Sequence, residues 1–165
     1  MIPETLRQEL QTRIAGAVTS REAAVETMKR LQAHYGWLSD EAVEEAGQLL
    51  GLSALQVEEL ATFYEMLYRR PVGKRVIHCC DSISCWAMGG ESLLQHLSAL
   101  LGIPVGGTTG DGVFTLLPCC CLGNCGQAPT LMIGDTLYGN LTSERAAEIL
   151  KQERERWVGE VFAQD

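Results

Sequence analysis

The sequence lacks the features of several large classes of protein. No stretch approaches the roughly 20 consecutive apolar residues that a bilayer-spanning helix needs. Residues 76–144 contain no Lys or Arg, and the whole chain has 13 of these against 21 Asp and Glu, a formal net charge of −8. Nucleic-acid binding requires a basic face that displaces counterions from phosphates, and an anionic membrane surface attracts the same basic residues. We therefore expect no nucleic-acid partner and no direct membrane insertion.

Two further sequence signals are missing. Residues 1–4 lead directly into an acidic helix, without the basic start and apolar segment of a secretory signal, so we expect a cytosolic protein. Residues 106–112 are rich in glycine, but they lack the Lys-Ser/Thr ending of a P-loop and the G-x-G-x-x-G pattern of a dinucleotide site. We interpret this segment as a turn region and expect any nucleotide site to lie on another chain.

The seven cysteines are the most informative residues that are present. Without an export signal, and with an odd number of cysteines, a disulfide framework is not expected, so metal binding or redox chemistry is favoured. No two cysteines show the C-x₂-C spacing that is typical of structural zinc sites and of thioredoxin-type dithiol enzymes. They lie in two segments, each after a run of strand-forming residues: Cys79, Cys80 and Cys85, then Cys119, Cys120, Cys121 and Cys125.

The spacing favours a [2Fe–2S] cluster held between these two segments. Such a cluster needs four thiolates, two on each iron, and two loops at one edge of a sheet can supply them. The predicted pairs are Cys80 with Cys85 and Cys121 with Cys125. At this point a structural Cys₄ zinc site and thiols without a cofactor remain as alternatives.

Strand geometry separates the predicted ligands from their neighbours. Successive strand residues point to opposite faces of a sheet, so Cys79 cannot face the cluster together with Cys80. The same argument applies to Cys120 and Cys121. Cys79 and Cys120 are therefore interpreted as small, buried apolar residues. Cys119 shares a face with Cys121 but lies further from the loop, so its role stays open.

The first part of the chain, residues 1–73, predicts a bundle of helices. A first helix is expected around residues 4–17. Thr19 with Glu22 and Ser53 with Gln56 are capping boxes that open two further helices, and residues 39–41 open another. Gly51 is expected to end the helix before it.

The second part, residues 74–165, changes to a mixed pattern. Strands are predicted at 75–80 and 113–121, and 131–133 pairs with 136–138 as a hairpin across Gly134. Helices are predicted at 91–101 and from Thr142 to about Arg156. The order β-α-β-β-β-α indicates a small α/β domain with a sheet of about four strands.

The cysteine pattern resembles that of a known family. Cys80-x₄-Cys85 followed by Cys121-Leu-Gly-Asn-Cys125-Gly-Gln-Ala-Pro129 is similar to the pattern in the E subunits of bacterial NADH:quinone oxidoreductases, the small chains of respiratory complex I. Cys119 and Cys120 depart from the family, in which acidic or polar residues are common at these positions. The similarity covers nearly the whole chain and includes three further segments: Tyr35-Gly36-Trp37-Leu38, Ala61-Thr62-Phe63-Tyr64 and Pro71-Val72-Gly73-Lys74.

The resemblance implies an α/β protein in which an N-terminal helical bundle is followed by a thioredoxin-like [2Fe–2S] ferredoxin domain. It implies one [2Fe–2S] cluster on Cys80, Cys85, Cys121 and Cys125, and an electron-transfer role without a complete active site on this chain. FMN and NADH are then expected on a partner flavoprotein, the F-type subunit of the same complex. Other peripheral-arm subunits are expected partners, on the cytoplasmic side of the inner membrane. The alternatives are the equivalent subunit of an NAD-linked hydrogenase or formate dehydrogenase, or a zinc-stabilised, non-redox assembly module.

Overall fold

The computed structural model describes residues 2–162, with side chains for residues 2–160. The chain forms two compact units that divide between Pro71 and Val72. The first unit holds α1 (Glu4–Gly16), α2 (Ser20–Tyr35), α3 (Asp40–Leu50) and α4 (Ala54–Phe63). The second holds β1 (Arg75–Cys80), α5 (Ile83–Ala87), α6 (Gly90–Leu101), β2 (Phe114–Cys119), a 3₁₀ helix (Cys125–Gln127), β3 (Leu131–Ile133), β4 (Thr136–Tyr138) and α7 (Ser143–Phe162).

The helices of the first unit begin where the sequence places polar caps. The Ser53 hydroxyl accepts from the Gln56 N–H at 3.3 Å, and the Gln56 side chain accepts from the Ser53 N–H at 3.0 Å, which completes the predicted capping box. Thr19 also caps α2, but Glu22 accepts from the N–H of Val18 instead of Thr19. Gly51 ends α3 in the left-handed conformation, as expected.

The four helices of this unit bury one continuous apolar core. Amphipathic helices are stabilised mainly by packing an apolar stripe, because isolated helices of this length are marginal in water. Each helix or its connecting segment contributes to the core. The fully buried large side chains are Leu10, Met28, Leu31, Leu38 and Val57.

The second unit is a four-stranded sheet in the order β2-β1-β3-β4. β1 pairs in parallel with β2, and the β3–β4 hairpin lies antiparallel on the other side of β1. Helices α6 and α7 pack on one face of the sheet, where their side chains share a core with Ile77, Phe114, Leu116 and Leu131. Because residues i and i+2 of a strand share a face, the intervening residues, Cys80 among them, lie on the opposite face.

Several limits of these elements differ from the sequence predictions. β2 ends at Cys119 rather than residue 121, and α7 continues to Phe162 rather than residue 156. Two short helices, α5 and the 3₁₀ helix, were not predicted, because five and three residues are too few to show a helical period.

The glycine-rich segment 106–112 folds back on β2, as the turn interpretation predicts. The Gly106 N–H donates to the Leu116 carbonyl at 2.7 Å, and Thr108 bridges Thr115. Gly112 closes a turn onto the Thr109 carbonyl. Backbone groups of this segment are therefore engaged in hydrogen bonds with β2 and within the turn.

None of the helices within the described residues has the dimensions and composition that a bilayer requires. Across residues 2–162, no helix is both long enough and apolar enough to span a membrane.

The capping box of α4 gives a test of the helical unit. Replacing Ser53 by Ala removes the acceptor for the Gln56 N–H, and we expect the unfolding free energy of this unit to fall by about 1 kcal/mol. Ser53→Thr keeps the hydroxyl and is expected to retain most of that stability. Urea denaturation followed by far-UV circular dichroism measures the difference, and equal midpoints for Ser53→Ala and the parent chain would show that the cap contributes nothing.

Candidate iron–sulfur site

The two cysteine segments meet at one edge of the sheet. β1 and β2 are parallel and in register so that Cys80 lies beside Cys119 at the ends of both strands. The Asp81 N–H then donates to the Cys119 carbonyl at 3.0 Å. Since the carboxyl ends of neighbouring parallel strands lie together, the loop after Cys80 and the loop after Cys119 start side by side.

The first loop places a buried pair of thiols. Cys80 and Cys85 are each 2% exposed, they pack in the same small cluster, and interaction with Cys85 contributes to raising the pKa of Cys80. Cys85 lies in α5, which starts after Ser82, and the backbone N–H of Ser82 acts to lower the pKa of Cys80 by favouring its thiolate. The short helix thus turns Cys85 back toward the end of β1.

Two glycines let α6 approach this loop closely. Gly89 has a φ of 91°, in the left-handed region that favours glycine. A Cβ atom on Gly90 would lie 2.7 Å from the Cys85 carbonyl oxygen and 3.3 Å from that of Cys80. Only a residue without a side chain fits there, so Gly90 fixes the distance between α6 and the first pair of cysteines.

The second loop places an exposed pair of thiols. The sulfurs of Cys121 and Cys125 lie 3.3 Å apart. The Gly123 N–H donates to the Cys121 sulfur at 3.4 Å, and Gly123 has a φ of 79°. Cys125 opens the 3₁₀ helix, and both thiols face the surface.

The two loops also contact each other. The backbone N–H of Leu122, in the second loop, acts to lower the pKa of Cys80 in the first by favouring its thiolate. The Ser84 side chain, in the first loop, acts to lower the pKa of Cys125 in the second. The structure therefore brings all four predicted site residues into one region, as two pairs joined by polar contacts.

The surroundings shift the pKa values of three of these thiols. Burial raises the pKa of Cys80, although the N–H groups of Ser82 and Leu122 oppose this by stabilising the thiolate. The Gly123 N–H, with a contact from Cys125, lowers the pKa of Cys121. The same contact with Cys121 raises the pKa of Cys125.

The other three cysteines occupy three different environments. Cys79 lies in the core beneath α6 and α7, on the opposite face from Cys80, and burial raises its pKa to about 12. Cys119 is 3% exposed and packs with Cys80 and Cys85 in one small cluster. Cys120 is exposed, so its interpretation as a buried residue was wrong: β2 ends at Cys119 and the alternation of faces ends with it.

Thr130 is a contributor to the site that sequence patterns did not reveal. Its carbonyl accepts from the Cys80 N–H at 3.1 Å, and its hydroxyl lies 3.4 Å from the Cys85 sulfur. Thr130 itself is 1% exposed. The contact with Cys85 joins residues 45 positions apart, and it depends on the pairing of β1 with β3, which no local pattern encodes.

Comparison with known proteins identifies the family. The model of the family described as thioredoxin-like [2Fe–2S] ferredoxin matches residues 10–154. The chain belongs to this family. The expected fold class, a helical N-terminal part followed by a thioredoxin-like [2Fe–2S] ferredoxin, is confirmed, and so is the [2Fe–2S] cluster as the cofactor.

Individual relatives of this thioredoxin-like ferredoxin agree in size and name. The E-type subunit of NADH-quinone oxidoreductase from Pseudomonas aeruginosa is 41% identical over 151 residues, which cover 92% of this chain and 91% of the relative. The protein of the same name from Escherichia coli K12 is 42% identical over 132 residues, 80% of each chain. That of Buchnera aphidicola from Baizongia pistaciae is 43% identical over 133 residues, 81% of this chain and 78% of the relative.

Solved structures share the fold of this ferredoxin at lower identity. The NAD⁺-reducing [NiFe]-hydrogenase in its air-oxidised state aligns with a TM-score of 0.65 at 22% identity. The alignment covers 78% of this chain and 23% of the hydrogenase chain, so the present chain spans about a quarter of that protein's length. The likeness shows a common fold.

The thiols of this ferredoxin fit a [2Fe–2S] cluster. Each iron of such a cluster takes two thiolates, and two thiolates on one tetrahedral metal with bonds of about 2.3 Å lie about 3.8 Å apart. The 3.3 Å between the Cys121 and Cys125 sulfurs is close to that separation. Among residues 2–160, no three His, Cys, Asp or Glu side chains gather around a single point, and the thiols form two pairs instead.

Gly90 gives a test of how the first loop is held. In Gly90→Ala the new methyl group meets the Cys85 carbonyl oxygen, so we expect the loop to shift, the chain to lose roughly 2 kcal/mol of stability, and more than half of the cluster to be lost. Gly110→Ala is the control, because no atom lies within 4 Å of its Cβ position. Visible absorbance per chain measures cluster content, and equal content in both variants would contradict the close-packing argument.

Proposed function

We propose that this chain is the electron-transfer subunit of an NADH:quinone oxidoreductase, respiratory complex I, in the position of its E-type chain. The observation that carries the proposal is the 41% identity with the Pseudomonas relative of that name over 92% of this chain. The two thiol pairs at the sheet edge supply the chemistry that such a role needs.

The cluster is assigned to four thiols. Cys80 and Cys85 would hold one iron, and Cys121 and Cys125 the other. The contact within each pair supports this division, and the influence of the Leu122 N–H on Cys80 supports placing both pairs at one cluster. Cys119 is the competing candidate, because it is buried beside Cys80 and Cys85. Cys121 is preferred because it lies in the loop itself and contacts Cys125 directly, whereas Cys119 is the last residue of β2.

The chain's own groups control charge around the bound cluster. When bound, the cluster accepts and releases one electron, and two ferric ions, two sulfides and four thiolates sum to a charge of about −2. The N–H groups of Ser82, Leu122 and Gly123 stabilise thiolate sulfur. No Lys or Arg of residues 76–144 adds positive charge. Because reduction adds a negative charge that no cation in this segment offsets, we expect a low reduction potential.

The rest of the reaction takes place on other chains. The glycine-rich segment 106–112 is closed by its own hydrogen bonds, which supports placing NADH and FMN on the flavoprotein, the F-type chain of the complex. In this proposal the present chain lies in the peripheral arm, on the cytoplasmic side of the inner membrane, and receives its electron from that flavoprotein. An NAD-linked hydrogenase or formate dehydrogenase is the alternative host, and the higher identity to the quinone-linked relatives favours complex I.

Single substitutions test the ligand set. Cys80→Ala, Cys85→Ala, Cys121→Ala and Cys125→Ala are each expected to abolish the electron paramagnetic resonance signal of the dithionite-reduced [2Fe–2S] cluster, since in each variant one iron loses a thiolate. Cys79→Ala, Cys119→Ala and Cys120→Ala are the matched controls and should keep it. A normal signal in Cys121→Ala that disappears when Cys119 is also replaced would reassign the fourth ligand to Cys119.

Reduction by NADH tests the function. The purified chain is expected to contain about two irons and two acid-labile sulfides, and to remain oxidised when NADH is added alone. Adding the FMN-loaded flavoprotein chain should let NADH reduce the cluster, measured by bleaching of its visible absorption. Stoichiometric zinc without sulfide would support the assembly-module alternative. Direct reduction by NADH without the flavoprotein would contradict the assignment of the nucleotide site to another chain.

A further inference from the structure

The first cysteine loop carries an unusual amount of exposed apolar surface. Ile83, Trp86 and Met88 are 74%, 57% and 63% exposed, more than any other large apolar side chain described in the second unit. All three lie within six positions that include Cys85. Exposed apolar side chains that are gathered in one place, rather than scattered, mark contact surfaces for other molecules.

A surface cavity adjoins this loop and has an acidic lining. The cavity has a volume of about 260 Å³ and is lined by Trp86, Asp81, Glu91, Gly90 and Leu94. The indole N–H of Trp86 donates to the Glu91 carboxylate at 3.2 Å, which holds the ring against one wall. The cavity therefore combines an aromatic ring with two carboxylates.

Three acids of the second unit are paired with basic residues, whereas Asp81 and Glu91 share with Asp135, Glu144, Glu148 and Glu155 the lack of an ion pair among the described residues. Glu153 pairs with Arg75 at 3.6 Å and Arg156 at 2.8 Å, and Glu160 pairs with Arg75 at 2.6 Å. Asp111 pairs with Arg154. In the described part of the chain no ion pair includes Asp81 or Glu91.

The sequence accounts for the lack of a basic partner beside Asp81 and Glu91. The basic residues of the second unit are confined to residues 74–75 and to the segment from Arg145 onward, so the cysteine loops have none. The bound cluster adds further negative charge beside the same loops. A partner that covers this surface must supply the positive charge, because burying unpaired carboxylates is costly.

We propose that Ile83, Trp86 and Met88, with the adjoining cavity, form the docking surface for the flavoprotein chain, which inserts an arginine side chain over Trp86 and between Asp81 and Glu91. The identity of the partner rests on the proposed function. Arginine fits because its planar guanidinium stacks on aromatic rings, binds carboxylates through two hydrogen bonds and is weakly hydrated. A stable interface buries about 800 Å² on each partner, so this surface is its centre and the exposed second loop, residues 121–127, extends it.

Binding measurements on the cluster-loaded, full-length chain and the FMN-loaded flavoprotein test the proposal. Trp86→Ser is expected to weaken binding about 30-fold, and Asp81→Asn with Glu91→Gln about 100-fold. The matched control is Glu148→Gln with Glu155→Gln, which changes the net charge equally on α7 and should weaken binding less than about 3-fold. Leu100→Ser controls for loss of an exposed apolar side chain. The salt dependence of binding should be smaller in the Asp81/Glu91 variant than in the parent chain.

Cluster content is measured in every variant, so that a damaged site is not mistaken for a damaged interface. If Trp86→Ser or the Asp81 change loses the cluster, the single variant Glu91→Lys is used to test the docking surface, because this exposed residue lies outside both cysteine loops. We expect Glu91→Lys to weaken binding at least about 100-fold. Undiminished binding by cluster-loaded site variants, or an equal loss in the α7 control, would overturn the proposal. The proposal would also be overturned if the parent chain associates with itself and Trp86→Ser abolishes that association. The surface would then bind a second copy of the chain.

Measurements on the parent chain distinguish a failure of the proposed function from a failure of this docking surface. If the parent chain binds the flavoprotein and is reduced by NADH through it, but the surface variants behave identically, only the docking surface is wrong. If the parent chain neither binds nor is reduced, both the proposed function and this surface fail.

Discussion

The parallel pairing of β1 with β2 is the interaction on which the site depends. Its register places Cys80 beside Cys119, and the Asp81 N–H to Cys119 carbonyl bond extends the pairing beyond the last strand residue. A shift by one residue would turn Cys80 toward the core of α6 and α7, where Cys79 now lies. The apolar face of the sheet therefore determines which cysteine faces the proposed cluster site, because a one-residue slip would turn Ile77 away from the core.

The loops that follow these strands are held by backbone donors and close contacts rather than by charge. Backbone N–H groups of Ser82, Leu122 and Gly123 favour the thiolate forms of Cys80 and Cys121, and Gly90 allows α6 to pack against the first loop. Such donors cost little to place, since turns leave backbone N–H groups that need an acceptor. They also stabilise thiolates without adding a net positive charge, so the surrounding surface stays acidic.

The sequence predicted those features that have local signals. The limits of β1, β3 and β4 follow from their strand-forming residues and the Gly134 turn, and the helix starts follow from Ser53 and Thr142. The end of β2 was misplaced because Pro118 and the three cysteines after it carry no alternation of polarity. That error is also why Cys120 was expected to be buried. Thr130 could not be found in this way, because its contacts come from long-range strand pairing.

The four candidate ligands differ in their exposure to solvent. Cys80 and Cys85 are buried, whereas Cys121 and Cys125 face the surface. A cluster on these four thiols would place the charge added on reduction beside both loops of the proposed docking surface. By thermodynamic linkage, a partner that brings a cation to this surface binds the reduced chain more tightly, and it raises the reduction potential by the same free energy. A tenfold preference for the reduced chain corresponds to a rise of about 59 mV. In the proposed complex, where the partner supplies the cation that the loops lack, the potential of the cluster would depend on the partner as well as on this chain.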